Sequence, residues 1–500
     1  MHTYIWVYFG AAYLAVIVTP LVIWLARRIG AVDRPGVRSI HTQPTPRIGG
    51  VAIYLASIGA IVSLLFFDNT IGRTFRDVRP QVITLLLSAS AVFAIGLIDD
   101  LRGLPARFKF LAELLGAGAL CVAGVRISDI GFGGGWTLSL GWWLGGPLTL
   151  LWIVGITNAV NISDGLDGLA AGVAAIACGV IATFAVYGST IHTGAAQNND
   201  IMMALFALAL LGGLTGFLFF NFNPAKVFMG DCGSLFLGFT IAAASVMCVS
   251  KSMALVGLAL PALALGIPIF DTLSSMLRRF LERRSLFAPD RSHFHHRLLE
   301  MGLNQRRAVM IVYLATAAAA GLGLFMMTGD DWSALLVFAA ILGLIVLLFR
   351  VVGAVRLDDT LAHLQSKHQY DLAARHDKKA FESLQLQFRQ VHDPDQWWPT
   401  VCEAAQRMDF AWVSLKTIRG DGRVEEELWR APGAPPSLES LVTMDIPLRS
   451  AAPDRTVHLE LALARNGSLE AAGRRATLFA RLLDESVTAG PSNRRTVRRQ

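Results

Sequence analysis

The chain has 500 residues, 54% of them hydrophobic and only 16% charged, with a mean hydropathy of +0.50. That composition excludes a disordered or fibrous chain and points to a protein that lives in a bilayer. The formal charge of +7 comes without a basic soluble domain carrying interleaved aromatics, so no nucleic-acid partner is expected. The five cysteines are scattered with no C-x-x-C pair, which argues against a disulfide framework or a zinc knuckle.

About eleven apolar runs precede residue 352: 4–26, 49–67, 80–97, 109–125, 147–160, 169–187, 201–220, 235–250, 253–277, 308–327 and 332–350. Runs of this length can cross hydrocarbon as helices, which satisfy their own backbone hydrogen bonds. The first has no basic leader and no small-residue cleavage site, so it is read as a retained span. Lys and Arg fall unequally on alternate links. One set carries Arg27, Arg28, Arg34, Arg38 and Arg47, then Arg102, Arg107 and Lys109, then Lys226. The same set continues with Arg278, Arg279, Arg283, Arg284, Arg291, Arg297, Arg306 and Arg307. The opposite set has only Arg73, Arg76, Arg79, Arg126 and Lys251. The first set is therefore cytoplasmic, the N-terminus lies outside, and an odd number of spans leaves the C-terminal tail inside.

The cytoplasmic links carry the chemistry. The first contains Pro46-Arg47-Ile48-Gly49-Gly50, where paired glycines allow a close backbone approach. Asp99-Asp100 ends the third run, and adjacent carboxylates repel unless a cation or proton intervenes. The next link spaces Asn158, Asn161, Asp164 and Asp167 three apart, on one face of a helical turn. Gly165 and Gly168 interrupt it and bare backbone N–H groups that suit anions. The following link holds Asn221, Asn223, Lys226, Phe228 and Asp231, the last between residues that leave it accessible. Lys226 suits a phosphate as a point charge, and Phe228 either stacks on a base or packs on a neighbouring helix. The longest link ends in Arg291-Ser292-His293-Phe294-His295-His296. Its histidines suit zinc or phosphate, and the surrounding arginines favour polyanion binding. Asp271 is either functional or a partner for Arg278 or Arg279. Oxygen donors without cysteine select a hard cation, Mg²⁺ with Mn²⁺ as the alternative. A cation, phosphate-binding links and a membrane face together point to phosphoryl chemistry between a nucleotide-linked donor and a lipid. A transporter or flippase with an inner-face ion relay is the competing class, but the outer halves of the runs are nearly all apolar.

The ordered set Pro46-to-Gly50, Asp99-Asp100, Asn158-to-Ala170, Asn221-to-Ser234 and His293-to-His296 resembles the polyprenyl-phosphate N-acetylhexosamine-1-phosphate transferases, glycosyltransferase family 4, over residues 1–350. The resemblance implies a bacterial inner-membrane enzyme with a cytoplasmic site. It would move a sugar 1-phosphate from a UDP-N-acetylhexosamine to polyprenyl (undecaprenyl) phosphate with Mg²⁺, releasing UMP. Phe294 interrupts the histidine run, which looks like the GlcNAc branch; phospho-MurNAc-pentapeptide transfer is the alternative. By the same resemblance Asp231 ligates the metal with Asp99 and Asn161, and Asp99 serves the lipid phosphate. Asp100 supports the metal site. Asn158, Asn161, Asp164, Gly165, Asp167, Asn223 and Phe228 hold the nucleotide side. Arg47, Lys226, Arg291, His293, His295 and His296 meet the phosphates.

The tail changes character. Residues 352–392 read as an amphipathic linker helix with Leu357, Leu361, Leu364, Leu372, Phe381, Leu384 and Phe388 on its apolar face. Residues 393–490 read as a small cytoplasmic α+β domain: a helix, strands near 410–418, 424–430, 440–447 and 455–464, and a helix near 468–487. Arg419-Gly420-Asp421-Gly422 is a hairpin signal, and the domain resembles GAF-type sensors. It is expected to bind a partner or make a homodimer, with regulatory ligand binding as the alternative. Residues 491–500 are expected to be a disordered basic end. The predicted fold class is an all-α polytopic membrane protein plus this small domain.

Overall fold

The computed structural model describes residues 2–35, 43–66, 79–131, 137–247, 254–281, 293–325, 331–353, 357–391, 393–432, 441–448, 455–464 and 469–485. The chain divides into two compact units, 1–356 and 357–500.

The first unit is helical. It runs α1 (His2–Ile29), a two-residue pairing of β1 (Val32–Asp33) with β2 (Thr45–Pro46), α2 (Gly50–Ser63), α3 (Arg79–Arg102) and α4 (Ala106–Val122). A short hairpin of β3 (Asp129–Gly131) and β4 (Thr137–Ser139) leads to α5 (Gly141–Ser163), α6 (Leu169–Ile191), α7 (Gly194–Asn221) and α8 (Gly230–Met247). Then come α9 (Ala254–Ala264), α10 (Gly266–Leu281), α11 (Phe294–Glu300), α12 (Gln305–Phe325) and α13 (Asp331–Val351).

Among the described residues, 7 helices are long and apolar enough to cross a membrane: α1, α3, α5, α6, α7, α8 and α12, with Gly50–Ser63 and Leu336–Val351 as shorter apolar stretches. Each of the eleven expected runs coincides with helix, and the described residues make seven of these helices full-length spans. The run 253–277 is not one helix: it breaks at Leu265 between α9 and α10, where Pro268 has no N–H for the preceding turn.

The most enclosed span is α8, packed by α2, α3, α5 and α7. Small residues permit this. A Cβ on Gly50 would lie 2.2 Å from the Gly233 nitrogen, so α2 and α8 touch backbone to backbone. On α1 the outer stripe of Trp6, Phe9, Tyr13 and Trp24 is exposed while Val7, Ala11, Ala15 and Val22 are buried. That is the pattern of a helix with one face toward lipid and one toward its neighbours.

The second unit holds α14 (Leu357–Gln390), α15 (Pro394–Arg407), strands β5 (Phe410–Arg419), β6 (Val424–Arg430), β7 (Leu441–Leu448) and β8 (Arg455–Ala464), and α16 (Leu469–Glu485). The antiparallel sheet has the order β6-β5-β8-β7. Period-2 alternation sends Val413, Leu415, Leu459 and Leu461 into a core with Phe388, Trp397 and Phe479. The other face carries Lys416, whose Nζ lies 2.7 Å from Glu460. Of the expected apolar positions on α14, Phe381, Leu384 and Phe388 are buried and Leu372 is exposed. The side chains of Leu357, Leu361 and Leu364, and all of residues 486–500, lie outside what is described.

Candidate active site

The site is built where the ends of α3, α4, α5 and α8 meet. Gly230 opens α8 with φ +74, and a Cβ there would sit 2.0 Å from the Arg47 carbonyl oxygen and 2.6 Å from Asp100. Only glycine fits both the left-handed backbone and the space. The Asp100 carboxylate accepts the N–H of Asp231 at 3.0 Å and of Cys232 at 2.9 Å. Those are orphan donors of the first turn of α8. Asp100 is thus an N-cap supplied from another helix, aligned with the helix dipole. It supports Asp231 through the backbone, and both its oxygens are used in doing so.

Asp231, set by this cap, meets Lys109 of α4. Lys109 Nζ lies 2.6 Å from Asp231 Oδ2 and 2.8 Å from Asp99 Oδ2. The other Asp99 oxygen accepts the Leu104 N–H. Asn161 donates to Asp231 Oδ1 at 3.2 Å and to Ser234 Oγ at 2.8 Å. Two carboxylates from different helices therefore share one cationic group, with an amide completing the set. Among the described residues no group of three or more His, Cys, Asp or Glu side chains is arranged to hold a metal. The converging donors nevertheless fit Mg²⁺, which takes one or two protein carboxylates and completes its shell with water and substrate phosphate. Asp99, Asp231 and Asn161 are the residues that would hold it.

Asp231 and Asn161 also line a cavity of about 820 Å³. Arg47, Asp164, Gly165, Asp167, Asn223, Phe228 and His296 share its wall, as does one edge of Asp100. Backbone pairing brings the first link to this wall: Phe228 donates to the Pro46 carbonyl at 2.7 Å, and Gly49 and Gly50 donate to the carbonyls of Phe228 and Met229. Asp167 Oδ2 accepts from Asn223 Nδ2 at 2.8 Å and from the Ala225 N–H at 3.0 Å, which holds the opposite wall in shape. Asp164 stands past the end of α5. Burial first, then the negative charges of Asp231, Asp100 and Asp167, push its carboxyl up to about 8.

The structure divides the three histidines. Asp271, 4% exposed on α10, accepts the Phe294 N–H at 2.9 Å and pairs with His293 Nδ1 at 3.1 Å. That contact caps α11 and answers the alternatives left for Asp271: it ties the histidine segment down. His295 is buried behind Gly165, whose Cβ would fall 2.5 Å from His295 Nε2. Burial, then the charge of His296, pulls His295 down to about 4, so the ring is neutral. Of the three, only His296 lines the cavity.

Other expected site residues are placed elsewhere. Asn158 does not line the cavity; its amide donates to Glu113 at 2.5 Å and to the Val154 carbonyl at 2.9 Å. Lys226 is exposed and outside the cavity wall, its backbone N–H closing a loop onto Phe220. Arg291 lies outside the described residues. Sequence reasoning missed Lys109 as a site residue, counting it only as topological charge, and missed the cavity-lining Asp33, Gln43, Thr45 and Gln305. The available signal for Lys109 was a lysine in the first turn of the helix that follows an Asp-Asp pair.

Comparison with known proteins bears on this arrangement. Residues 82–249, which hold Asp99, Lys109, Asn161 and Asp231, match the family model described as glycosyl transferase family 4. A Bacillus subtilis (strain 168) protein named probable undecaprenyl-phosphate N-acetylglucosaminyl 1-phosphate transferase is 38% identical over 300 residues, covering 60% of this chain and 78% of that protein. The decaprenyl-phosphate N-acetylglucosaminephosphotransferase of Mycobacterium tuberculosis (strain ATCC 25618 / H37Rv) is 38% identical over 321 residues, covering 61% and 78%. A phospho-N-acetylmuramoyl-pentapeptide-transferase from Desulforudis audaxviator is 32% identical over 342 residues, covering 63% and 96%. Similarity of this degree, over most of each relative and across the helices that build the carboxylate–lysine centre, makes the chain a member of glycosyl transferase family 4.

Proposed function

We propose that the protein transfers N-acetylglucosamine 1-phosphate from UDP-N-acetylglucosamine to a polyprenyl phosphate, giving polyprenyl diphosphate-sugar and UMP. It does so at the cytoplasmic face of a bacterial inner membrane, with Mg²⁺ or Mn²⁺ as cofactor. The eleven apolar runs then all cross the bilayer, α9 and α10 together making one broken crossing, and the second unit lies in the cytoplasm. The observation that carries this reading is the sharing of one cationic group by Asp99 and Asp231 beside a cavity large enough for a nucleotide sugar. The names of the relatives in two bacterial lineages support the sugar and the lipid class.

A bound divalent cation would neutralise the donor diphosphate and the departing UMP. The chain's own residues do the rest. Asp164, Asp167, Asn223 and Phe228 orient the uridine diphosphate side, and Arg47 and His296 meet its phosphates. Asp99 places the lipid phosphate. That phosphate needs little help from a base, because its second pKa is about 6 and it is ionised at pH 7. One of its oxygens forms a bond to the donor's β-phosphorus, and the bond from that phosphorus to the bridging oxygen breaks to free UMP. Positioning and charge neutralisation supply most of the acceleration.

The test is UMP release by the purified full chain supplied with polyprenyl phosphate and a panel of UDP-sugars. UDP-N-acetylglucosamine should be the best donor, and Asp231→Asn should lower its turnover by about 10³-fold or more. No UMP from any donor, or a wild-type rate in Asp231→Asn, would overturn the assignment.

A further inference from the structure

We propose that Glu113 is a positioning residue of the transfer centre: its carboxylate receives the Lys109 ammonium when a divalent cation takes Asp231. This rests on the cation reading above and extends it to a residue that reading does not use.

Glu113 is 1% exposed, and a buried carboxylate is costly without a purpose. Its one hydrogen-bonding neighbour named so far, Asn158 Nδ2 at 2.5 Å, would be served as well by a neutral glutamine. The contact therefore accounts for the position of the side chain and not for its charge. The charge has another neighbour. Glu113 follows Lys109 by one turn of α4, on the same face, and helical side chains lean back toward the N-terminus. Lys109 and Asp231 both act on it electrostatically.

Lys109 stands on the atoms a metal would need, Asp231 Oδ2 and Asp99 Oδ2. An ammonium and a divalent cation a few ångströms apart repel strongly in a partly dry site. The ammonium must then move, and its four-carbon stem allows it. Glu113 is already anchored by α5 and offers a destination one helical turn away. Asn161, three residues after Asn158 on α5, reaches Asp231, so the helix that fixes the destination also carries a ligand.

Mn²⁺ binding to the purified full chain, followed by electron paramagnetic resonance without donor or lipid, tests this. Glu113→Gln keeps the shape and the Asn158 contact and removes the charge. It should weaken Mn²⁺ binding about tenfold, the worth of about 1.4 kcal/mol. In a Lys109→Met background, where no ammonium has to be rehoused, the same change should alter affinity less than about twofold, since the coupling is then gone. An unchanged affinity in Glu113→Gln, or an equal loss in both backgrounds, would overturn the proposal. A structure of the wild-type protein with Mn²⁺ tests it without any variant. Lys109 Nζ turned onto Glu113 supports it, and an ammonium still bridging Asp99 and Asp231 overturns it. Wild-type protein that binds Mn²⁺ and releases UMP while Glu113→Gln is unaffected removes only the Glu113 step. Wild-type protein that does neither removes the cation reading as well.

Discussion

Replacing Asp100 by Asn separates support from chemistry at this centre. The carboxylate accepts two N–H groups at the start of α8, at 3.0 and 2.9 Å. Asn can accept one of them; its amide NH₂ would face the other donor. One charge-assisted bond worth about 1.5–3 kcal/mol is lost, and a buried N–H is left unsatisfied at a cost of about 1–3 kcal/mol. Loss of the favourable charge at the helix start adds about 0.3–1 kcal/mol. Much of this is relieved if the first turn of α8 shifts, and that shift moves Asp231. If about 3 kcal/mol of it is expressed as misplacement, turnover falls about 10²-fold, at 1.36 kcal/mol per decade. The assay is UMP release by purified, monodisperse protein, with Mn²⁺ affinity measured beside it. Both should fall together in Asp100→Asn, and less far than in Asp231→Asn. Turnover abolished with Mn²⁺ affinity intact would refute the cap argument, because Asp100 would then be touching substrate itself.

Raising the pH should weaken donor binding through Asp164. Its carboxyl, pushed up to about 8, is neutral below that value and charged above it, so UDP affinity measured calorimetrically in metal-free buffer should hold to about pH 8 and then decline. Asp164→Asn should bind with no such decline, and a wild-type profile flat to pH 9 would contradict the assignment. His295 governs the acid side. Its folded value of about 4 lies below its ordinary 6.5, so the unfolded chain binds the extra proton between those values and stability falls as pH drops through that window, by on the order of 3 kcal/mol. His295→Gln should show a shallower loss of Tm from pH 6.5 to 4.5, and an identical slope would remove His295 as the cause. Deleting residues 357–500 should leave transfer within a few-fold of wild type, since the second unit is compact by itself. Complete loss in a monodisperse truncation would show that it is integral to catalysis.

Much of this was legible before any coordinates. Apolar runs become helices because hydrocarbon leaves the backbone no other partner, and β5 to β8 fall where alternation places them because one face of the sheet must meet Phe388, Trp397 and Phe479. The polar links could be recognised as one site because charge beside hydrocarbon needs a reason. What stayed hidden was the direction each side chain takes. Adjacent Asp99 and Asp100 look equivalent in the sequence, yet one faces Lys109 and the other the backbone of α8. His293, His295 and His296 look like a single cluster, but a helical turn sends them to Asp271, behind Gly165 and into the cavity respectively. Asn158 and Asn161 share a face of α5 and still divide between Glu113 and Asp231. Lys109 was invisible as a site residue because a cation on the Lys- and Arg-rich set of links is what topology alone would put there.

The transfer itself is tested most directly by isotope. UDP-N-acetylglucosamine labelled with ³²P at the phosphate bearing the sugar, incubated with the purified chain, polyprenyl phosphate and Mg²⁺, should yield labelled lipid and unlabelled UMP, with no transfer in chelator. Label left in the nucleotide, or lipid that gains sugar without the label, would contradict phosphosugar transfer at the Asp99–Lys109–Asp231 centre.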